Sequence, residues 1–318
     1  VSVAGLAATV LASGSVWAQA YPNKVIKLQV PFAPGGTTDI VARVISEPLG
    51  KALGQSVIVE NKAGGGGVVG ATETMRAAPD GYNLGMATVS TTAANPAINP
   101  KIPYNPITDF TPIINIAATP NVIAVHPSFP AKDYKGFVAE LKKNPGKYSY
   151  ASSGTGGIGH LQTELWKSLA GVFITHIPYR GAGPALNDLI AGNVDMMFDG
   201  HGSSAQHIRG GRIKALAVAA PARVPAFPDV PTFVEMGMPD YVVSTWYAVW
   251  GVKGTPKEIL DRMHAEIVKA LGAPEIKQIW ASQGSDTSTM AQEQFARFVA
   301  SEVKRWAEVT KASGAKLD

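Results

Sequence analysis

The sequence predicts an α/β protein of two lobes, each a mixed or parallel sheet flanked by helices. Two segments carry the prediction. Pro31-Phe32-Ala33-Pro34-Gly35-Gly36-Thr37-Thr38-Asp39 joins an apolar strand to an amphipathic helix, and Tyr150-Ala151-Ser152-Ser153-Gly154-Thr155-Gly156-Gly157-Ile158-Gly159-His160 repeats that arrangement in mid-chain. Strand, helix and strand in this order make a right-handed parallel crossover, so each copy nucleates a lobe whose ligand end is the carboxyl edge of its strands. A glycine- and hydroxyl-rich turn at a helix start also exposes unpaired N–H groups beside the positive end of the helix dipole, which suits an anion. Two such turns suggest two lobes closing on one small anionic ligand.

The elements follow in order. Residues 1–20 read as a signal peptide: Val3 to Val16 is apolar but too short to span a membrane, and Ala18-Gln19-Ala20 is a small-x-small cleavage pattern that places the mature start at Tyr21. Val25 to Val30 reads as a buried strand. Residues 38–53 form a helix with Ile40, Val41, Val44, Ile45, Leu49 and Leu53 on one face, and Ser56 to Glu60 form the next strand. In the second copy Lys147 to Ala151 is the strand, residues 159–170 the helix with Leu161, Leu165 and Leu169 one turn apart, and Phe173 to Pro178 the following strand. Pro-rich stretches from Asn95 to Pro112 and from Pro221 to Pro239 mark crossings between lobes. Tyr241 to Val252 is an aromatic, β-branched strand. Thr255-Pro256-Lys257-Glu258 and Thr289-Met290-Ala291-Gln292 read as capping boxes opening two helices, the second burying Phe295, Phe298, Val299, Val303 and Trp306. Both helices are assigned to cover the first lobe. The expected organisation is therefore a first lobe of 21–122 and 240–318 and a second of 123–239.

Composition narrows the function. No cysteine is present among the 318 residues, which excludes disulfides, thiolate metal sites, cysteine catalysis and a lipoprotein anchor. No later segment is long and apolar enough to span a membrane. A net charge of +4 without a Lys/Arg block argues against nucleic acid and slightly favours small anions. The expected mature protein is a soluble periplasmic monomer.

The strand into Pro31–Asp39 is followed by Val59-Glu60-Asn61-Lys62-Ala63-Gly64-Gly65, Pro79-Asp80-Gly81-Tyr82, Tyr150-Ala151-Ser152, His160-Leu161, Pro178-Tyr179-Arg180-Gly181, Pro228-Asp229-Val230-Pro231-Thr232 and Trp246-Tyr247. This ordered series, spread over the whole mature chain, resembles the Bug family of periplasmic solute-binding proteins that serve tripartite tricarboxylate transporters. The resemblance implies a Venus-flytrap fold of the type II kind. It also implies capture of a small carboxylate (a dicarboxylate, tricarboxylate or aromatic acid), membrane transporter subunits as partners and no cofactor. It does not imply which acid.

Read as chemistry, the first loop offers Phe32, Ala33, Gly35, Gly36, Thr37 and Thr38, whose N–H groups and hydroxyls can satisfy a carboxylate without a buried countercharge. Asp39 is either a first-turn acid favouring the helix dipole or an acceptor for a ligand hydroxyl, amine or water. Ser152, Ser153, Gly154, Thr155, Gly156, Gly157 and His160 are the second-loop candidates, and Thr88 and Ser90 follow a strand that should end at the cleft. Arg180 is placed to pair with a second carboxylate or to form a surface ion pair. Asp199 either accepts from the ligand or caps His201 or Ser203, and Trp246 and Tyr247 either wall the pocket or belong to the hinge-side core.

Rival motifs are weaker. Gly65-Gly66-Gly67-Val68-Val69-Gly70 matches G-x-G-x-x-G, but no ribose-binding acid follows the next strand. Walker A and G-x-S-x-G patterns are absent. Ser153, His160 and Asp199 as a triad, or Asp199, His201 and His207 as metal ligands, have no spacing that fixes their geometry. The reading is a binding protein and not an enzyme. Its alternatives are a sensor subunit for a membrane kinase and, behind that, a periplasmic hydrolase or isomerase of small acids.

Overall fold

A computed structural model describes residues 21–287 and 290–317; the expected signal peptide and Thr289 of the second capping box lie outside them. The chain runs β1 (Ile26–Val30), α1 (Thr37–Leu53), β2 (Val57–Asn61), α2 (Val68–Arg76), β3 (Asn83–Thr88), a wide helical turn at Ser90–Ala94, α3 (Asn95–Ile98) and β4 (Phe110–Val125). It continues through α4 (Tyr134–Lys143), β5 (Ser149–Ser152), α5 (Ile158–Ala170), β6 (Thr175–Pro178), α6 (Ala182–Ala191), β7 (Met196–Gly200), α7 (His201–Arg209) and β8 (Lys214–Val218). It returns as β9 (Ser244–Val252), α8 (Lys257–Gly272), α9 (Pro274–Gln283), β10 (Asp286–Thr287) and α10 (Gln292–Ser313). The two crossovers read from sequence, β1-α1-β2 and β5-α5-β6, both form with parallel strands.

Two sheets share one strand. In the first, β2, β1, β3, β9, β4 and β10 lie side by side; in the second, β4 continues as a neighbour of both β7 and β8, and β5 and β6 extend it. The 16-residue β4 pairs with β9 from Phe110 to Pro120 and with β7 from Asn121 to Val125. The lobes therefore meet within a strand. The expected crossing at Asn95–Pro112 is revised: Asn95 opens α3, and Pro112 sits inside β4 opposite Trp250, beside a register shift that accommodates its missing N–H. The second crossing also lies later than expected. Phe227 and Phe233 of the Pro-rich stretch are buried in second-lobe clusters, and the chain crosses back at Val243–Thr245, where Asn121 N–H donates to Val243 O and Val243 N–H to Ala219 O.

In the first lobe α1 buries Val41, Ile45, Leu49 and Leu53 with Ile26, Leu28 and Val30 of β1, and α8 adds Met263 and Ile267. Helix α8 opens without a capping box, because the Thr255 hydroxyl turns back to donate to Val252 O. Helix α10 departs from expectation. It packs against the first-lobe turn Ser90–Ala94 and also against α5 of the second lobe, and Phe295, Val299 and Trp306 join one core cluster with Trp246 and Trp166.

Candidate functional site

The carboxyl ends of β1 and β3 face those of β5 and β7 across a cleft, and the helices that follow start there. The 17-residue α1 begins at Thr37, the 13-residue α5 at Ile158 and the 9-residue α7 at His201. Between them lies a cavity of about 50 Å³, room for roughly four waters. Gly36, Thr37 and Thr38 approach from α1, Thr88 and Ser90 from the end of β3, and Thr245 and Tyr247 from β9. The second lobe contributes Ser153, Ile158, Gly159 and Gln162 around the start of α5, Ala182 at the start of α6, and Met197 to Gly200 at the end of β7. Phe32 and Asn121 complete the wall. Asp199 is the one charged residue in this lining, which contains no Lys, Arg or His. Anion binding here must rest on N–H groups and hydroxyls.

Of the sequence-predicted residues, Phe32, Gly36, Thr37, Thr38, Thr88, Ser90, Ser153 and Asp199 come together at the cavity. The others are placed elsewhere, each for a visible reason. Asp39 is buried as an organiser of the first loop: it accepts from Gly35 N–H at 3.1 Å, Asn61 Nδ2 at 2.9 Å and Arg43 Nε at 3.0 Å. Burial alone would raise its pKa, but the bonds from Arg43, Asn61 and Gly35 outweigh it and hold the carboxyl below its ordinary value. Ala33 N–H donates to Arg180 O across the cleft at 3.0 Å, while Arg180 itself is exposed and outside the lining. Ser152 is fully buried and shares a 2.7 Å hydrogen bond with His176 Nε2. Burial lowers the His176 pKa to about 3, aided by neighbouring His160, so that ring is neutral. His160 stacks on His176 at 4.4 Å and its Nδ1 accepts from Gly156 N–H. Trp246 points out of the opposite face of β9, where Nε1 donates to Glu302 of α10; its neighbours Thr245 and Tyr247 face the cavity by strand alternation.

The remaining glycines serve closure. The Gly154 amide bonds back to Ser152 Oγ, and Gly157 N–H to Gly154 O. Around them the lobes touch backbone to backbone: a β-carbon on Gly66, whose φ is +60°, would lie 2.6 Å from Thr155 O and 3.1 Å from Gly157 N. Within the run Gly64–Gly67, Gly66 is thus the first lobe's half of this contact, while Gly64, Gly65 and Gly67 face first-lobe side chains. A β-carbon on Gly183 would overlap Pro34 O and come within 3.2 Å of Gly35 Cα. Hydrogen bonds fasten the same seam: the Thr37 and Ser203 hydroxyls pair at 2.7 Å, Ser203 N–H donates to Thr37 Oγ1, and Ile158 N–H donates to Ser90 Oγ at 3.0 Å. The molecule is in a closed form.

Sequence reading missed Asn121 and Gln162, which join at 2.9 Å on the cavity floor, with Thr245 Oγ1 donating to Asn121 Oδ1. For Asn121 a signal was available, since it heads the apolar run Val122–Val125, where a polar side chain is costly unless it has a partner; Gln162, among His160, Thr163 and Glu164, gave none. Of the roles offered for Asp199, the bond to Ser203 forms, at the start of α7: Asp199 Oδ2 accepts the hydroxyls of Ser203 at 2.7 Å and Ser204 at 2.5 Å. Burial pushes this carboxyl up to about 6, and the bonds from Ser204, Ser203 and the Gly200 amide keep it from going higher. Tyr247 beside it is driven well above its ordinary value by burial and then by Asp199.

This geometry separates the two adjacent serines. Ser153→Ala removes a cavity hydroxyl and is expected to weaken an anionic ligand by roughly tenfold or more. Ser152→Ala is expected to leave affinity nearly unchanged while costing about 1–3 kcal/mol of stability, because half-buried His176 and the buried Gly154 amide lose their partner. Calorimetric titration and denaturant unfolding of both variants check this.

The sequence from residue 41 to 315 matches the model of the tripartite tricarboxylate transporter family receptor. Protein BugT of Bordetella pertussis is 37% identical over 318 residues, covering 100% of this chain and 96% of that protein. A solved periplasmic transporter superposes with a TM-score of 0.92 at 48% identity, over 94% of this chain and 100% of the other. MatC of Rhodopseudomonas palustris, solved with bound malate, gives 0.88 at 34% identity over 91% and 99% of the two chains. A second R. palustris protein, solved with adipate, gives 0.90 at 34% identity over 93% and 100%. With its two-lobed fold matched along its length and its sequence matched from residue 41 to 315, the chain belongs to the tripartite tricarboxylate transporter receptor family.

Proposed function

We propose that this protein is a periplasmic receptor that captures one small carboxylate between its lobes and presents it, closed, to the membrane subunits of a tripartite transporter. The observation that carries the reading is the convergence of the α1 and α5 starts, with Thr38 and Ser153, on a small cavity whose lining holds no cation. Helix-start N–H groups and hydroxyls suit a carboxylate's lone pairs. The relatives solved with malate and adipate support the same ligand class. We assign contact with the ligand to Gly36, Thr38, Thr88, Ser153, Gly159 and Asp199, with Asn121 and Gln162 beneath it. We read this capture as binding without turnover, in keeping with a family of transport receptors. No helix among the described residues is long and apolar enough to cross a membrane, and a receptor diffusing in the periplasm needs none.

The test is a thermal-shift screen of refolded, ligand-stripped protein against mono-, di- and tricarboxylates, amines, sugars and divalent metals. A carboxylate at a hundredfold excess over its Kd should stabilise by about 2.7 kcal/mol. The same acid should shrink the radius of gyration in solution scattering and be recovered chemically unchanged. Stabilisation by sugars, amines or metals with none by any acid overturns the reading, and formation of a product overturns its non-catalytic component.

A further inference from the structure

We propose that Asp199 makes this cleft select acids carrying a hydrogen-bond donor near the carboxylate, a hydroxyl or an ammonium group, over acids of the same length that lack one. The inference rests on the carboxylate reading above and names the subclass.

Asp199 is an acid in an anion's pocket. It is 5% exposed and lines the cavity at the end of β7, at the mouth of α7. One oxygen, Oδ2, takes both serine hydroxyls, and the Gly200 amide adds a third bond. An ionised carboxylate offers about four acceptor sites, so three bonds leave capacity unused on a residue that lines the cavity. No cationic side chain stands in the lining to take it. The groups around Asp199 are neutral: Tyr247 of β9, whose phenol feels its charge, Thr37 of α1, which reaches it through Ser203, and His201 of α7, which is fully buried and has its pKa lowered by burial. Filling this space with a methylene or with a second carboxylate oxygen leaves a buried acid facing either nothing polar or a like charge, and both are unfavourable. A ligand hydroxyl or ammonium instead meets an acceptor already oriented by two hydroxyls and an amide. Sites built to receive a donor reject the analogue that lacks it more strongly than apolar pockets reject a missing methylene.

If Asp199 only anchored the start of α7, ligand substituents would not sense it. The experiment compares matched pairs by calorimetric titration at pH 8: malate or aspartate with succinate, 2-hydroxyglutarate or glutamate with glutarate, and 2-hydroxyadipate with adipate. In the length class that binds tightest, the donor-bearing member is expected to bind at least tenfold more tightly. Asp199→Asn keeps an oxygen for Ser203 and Ser204 but turns the remaining face into a donor, so the preference should collapse to within about threefold, chiefly by a gain for the plain acid. Near-equal binding of both members by the natural protein overturns the inference and leaves the carboxylate reading intact. A preference that survives in a folded Asp199→Asn variant also overturns it, since another group then reads the donor. Failure of every acid to bind sinks both readings together.

Discussion

Gly183→Ala is expected to abolish tight ligand binding while leaving a folded, slightly more stable ligand-free protein. Gly183 lies in the first turn of α6 with an ordinary helical backbone, so alanine fits its own lobe and should gain about 1 kcal/mol of helix propensity. The obstacle lies across the cleft, where the added methyl would overlap Pro34 O and crowd Gly35 Cα. Backbone atoms on a loop braced by Asp39 and Asn61 cannot yield as a flexible side chain would. Overpacking against backbone lies at the upper end of the usual range, about 3 kcal/mol, which is a loss of roughly two orders of magnitude in affinity. Titration calorimetry reads the affinity, and scattering should find the variant as extended with the acid as without it. Normal affinity with normal contraction would show that the lobes need not meet as closely as they do here.

Asp199→Asn should raise the stability of the protein in its closed form, and only above a definite pH. The folded carboxyl titrates near 6 against an ordinary 3.8, so it holds its proton more firmly when folded. Its contribution to stability is therefore complete below about pH 3.8, declines as pH rises to 6, and remains as a deficit beyond. The deficit is at most about 3 kcal/mol, because each tenfold gain in proton affinity on folding is worth about 1.36 kcal/mol. Asparagine is neutral at every pH and can still accept from Ser203 and Ser204. Its melting temperature should exceed that of the natural protein by several degrees at pH 8 and match it near pH 3.5. An equal gain at both pH values, or a loss at pH 8, contradicts an ionised, poorly solvated Asp199. A binding site that weakens the closed protein in this way is a familiar exchange of stability for function.

Much of the frame was legible because it depends on local rules. Strands β1 and β5, their glycine turns and helices α1 and α5 follow from apolar runs ending in Gly and hydroxyl residues, and they form within about two residues of where the pattern places them. The division of labour within those turns was not legible. Gly35, Gly154, Gly156 and Gly157 look as suited to a ligand as Gly36 does, yet their amides or faces are taken by Asp39, by their own loop or by the opposite lobe. Whether a glycine serves a ligand or a neighbouring backbone depends on what closes over it, which comes from a distant stretch of the chain. Trp246 shows a related limit. In Ser244–Val252 every residue after the first is buried, so the burial pattern does not show which face borders the cleft, and a one-residue change of parity exchanges Trp246 for Thr245 and Tyr247. Proline misled for a third reason: Pro112 lies inside β4, where a register shift absorbs it.

Helix α10 carries a consequence beyond stability. It lies against the Ser90–Ala94 turn on one lobe and α5 on the other, and Leu317 beyond its end reaches the Gly156 turn. Opening the cleft must slide or break at least one of these contacts, so the helix acts as a spring whose tension sets how often the empty receptor visits its closed shape. Apparent affinity scales with that closed fraction. Substitutions along a surface that never touches the ligand can thus retune how tightly every acid is held, by the same factor for each, while the order of preference among them stays fixed by the cavity.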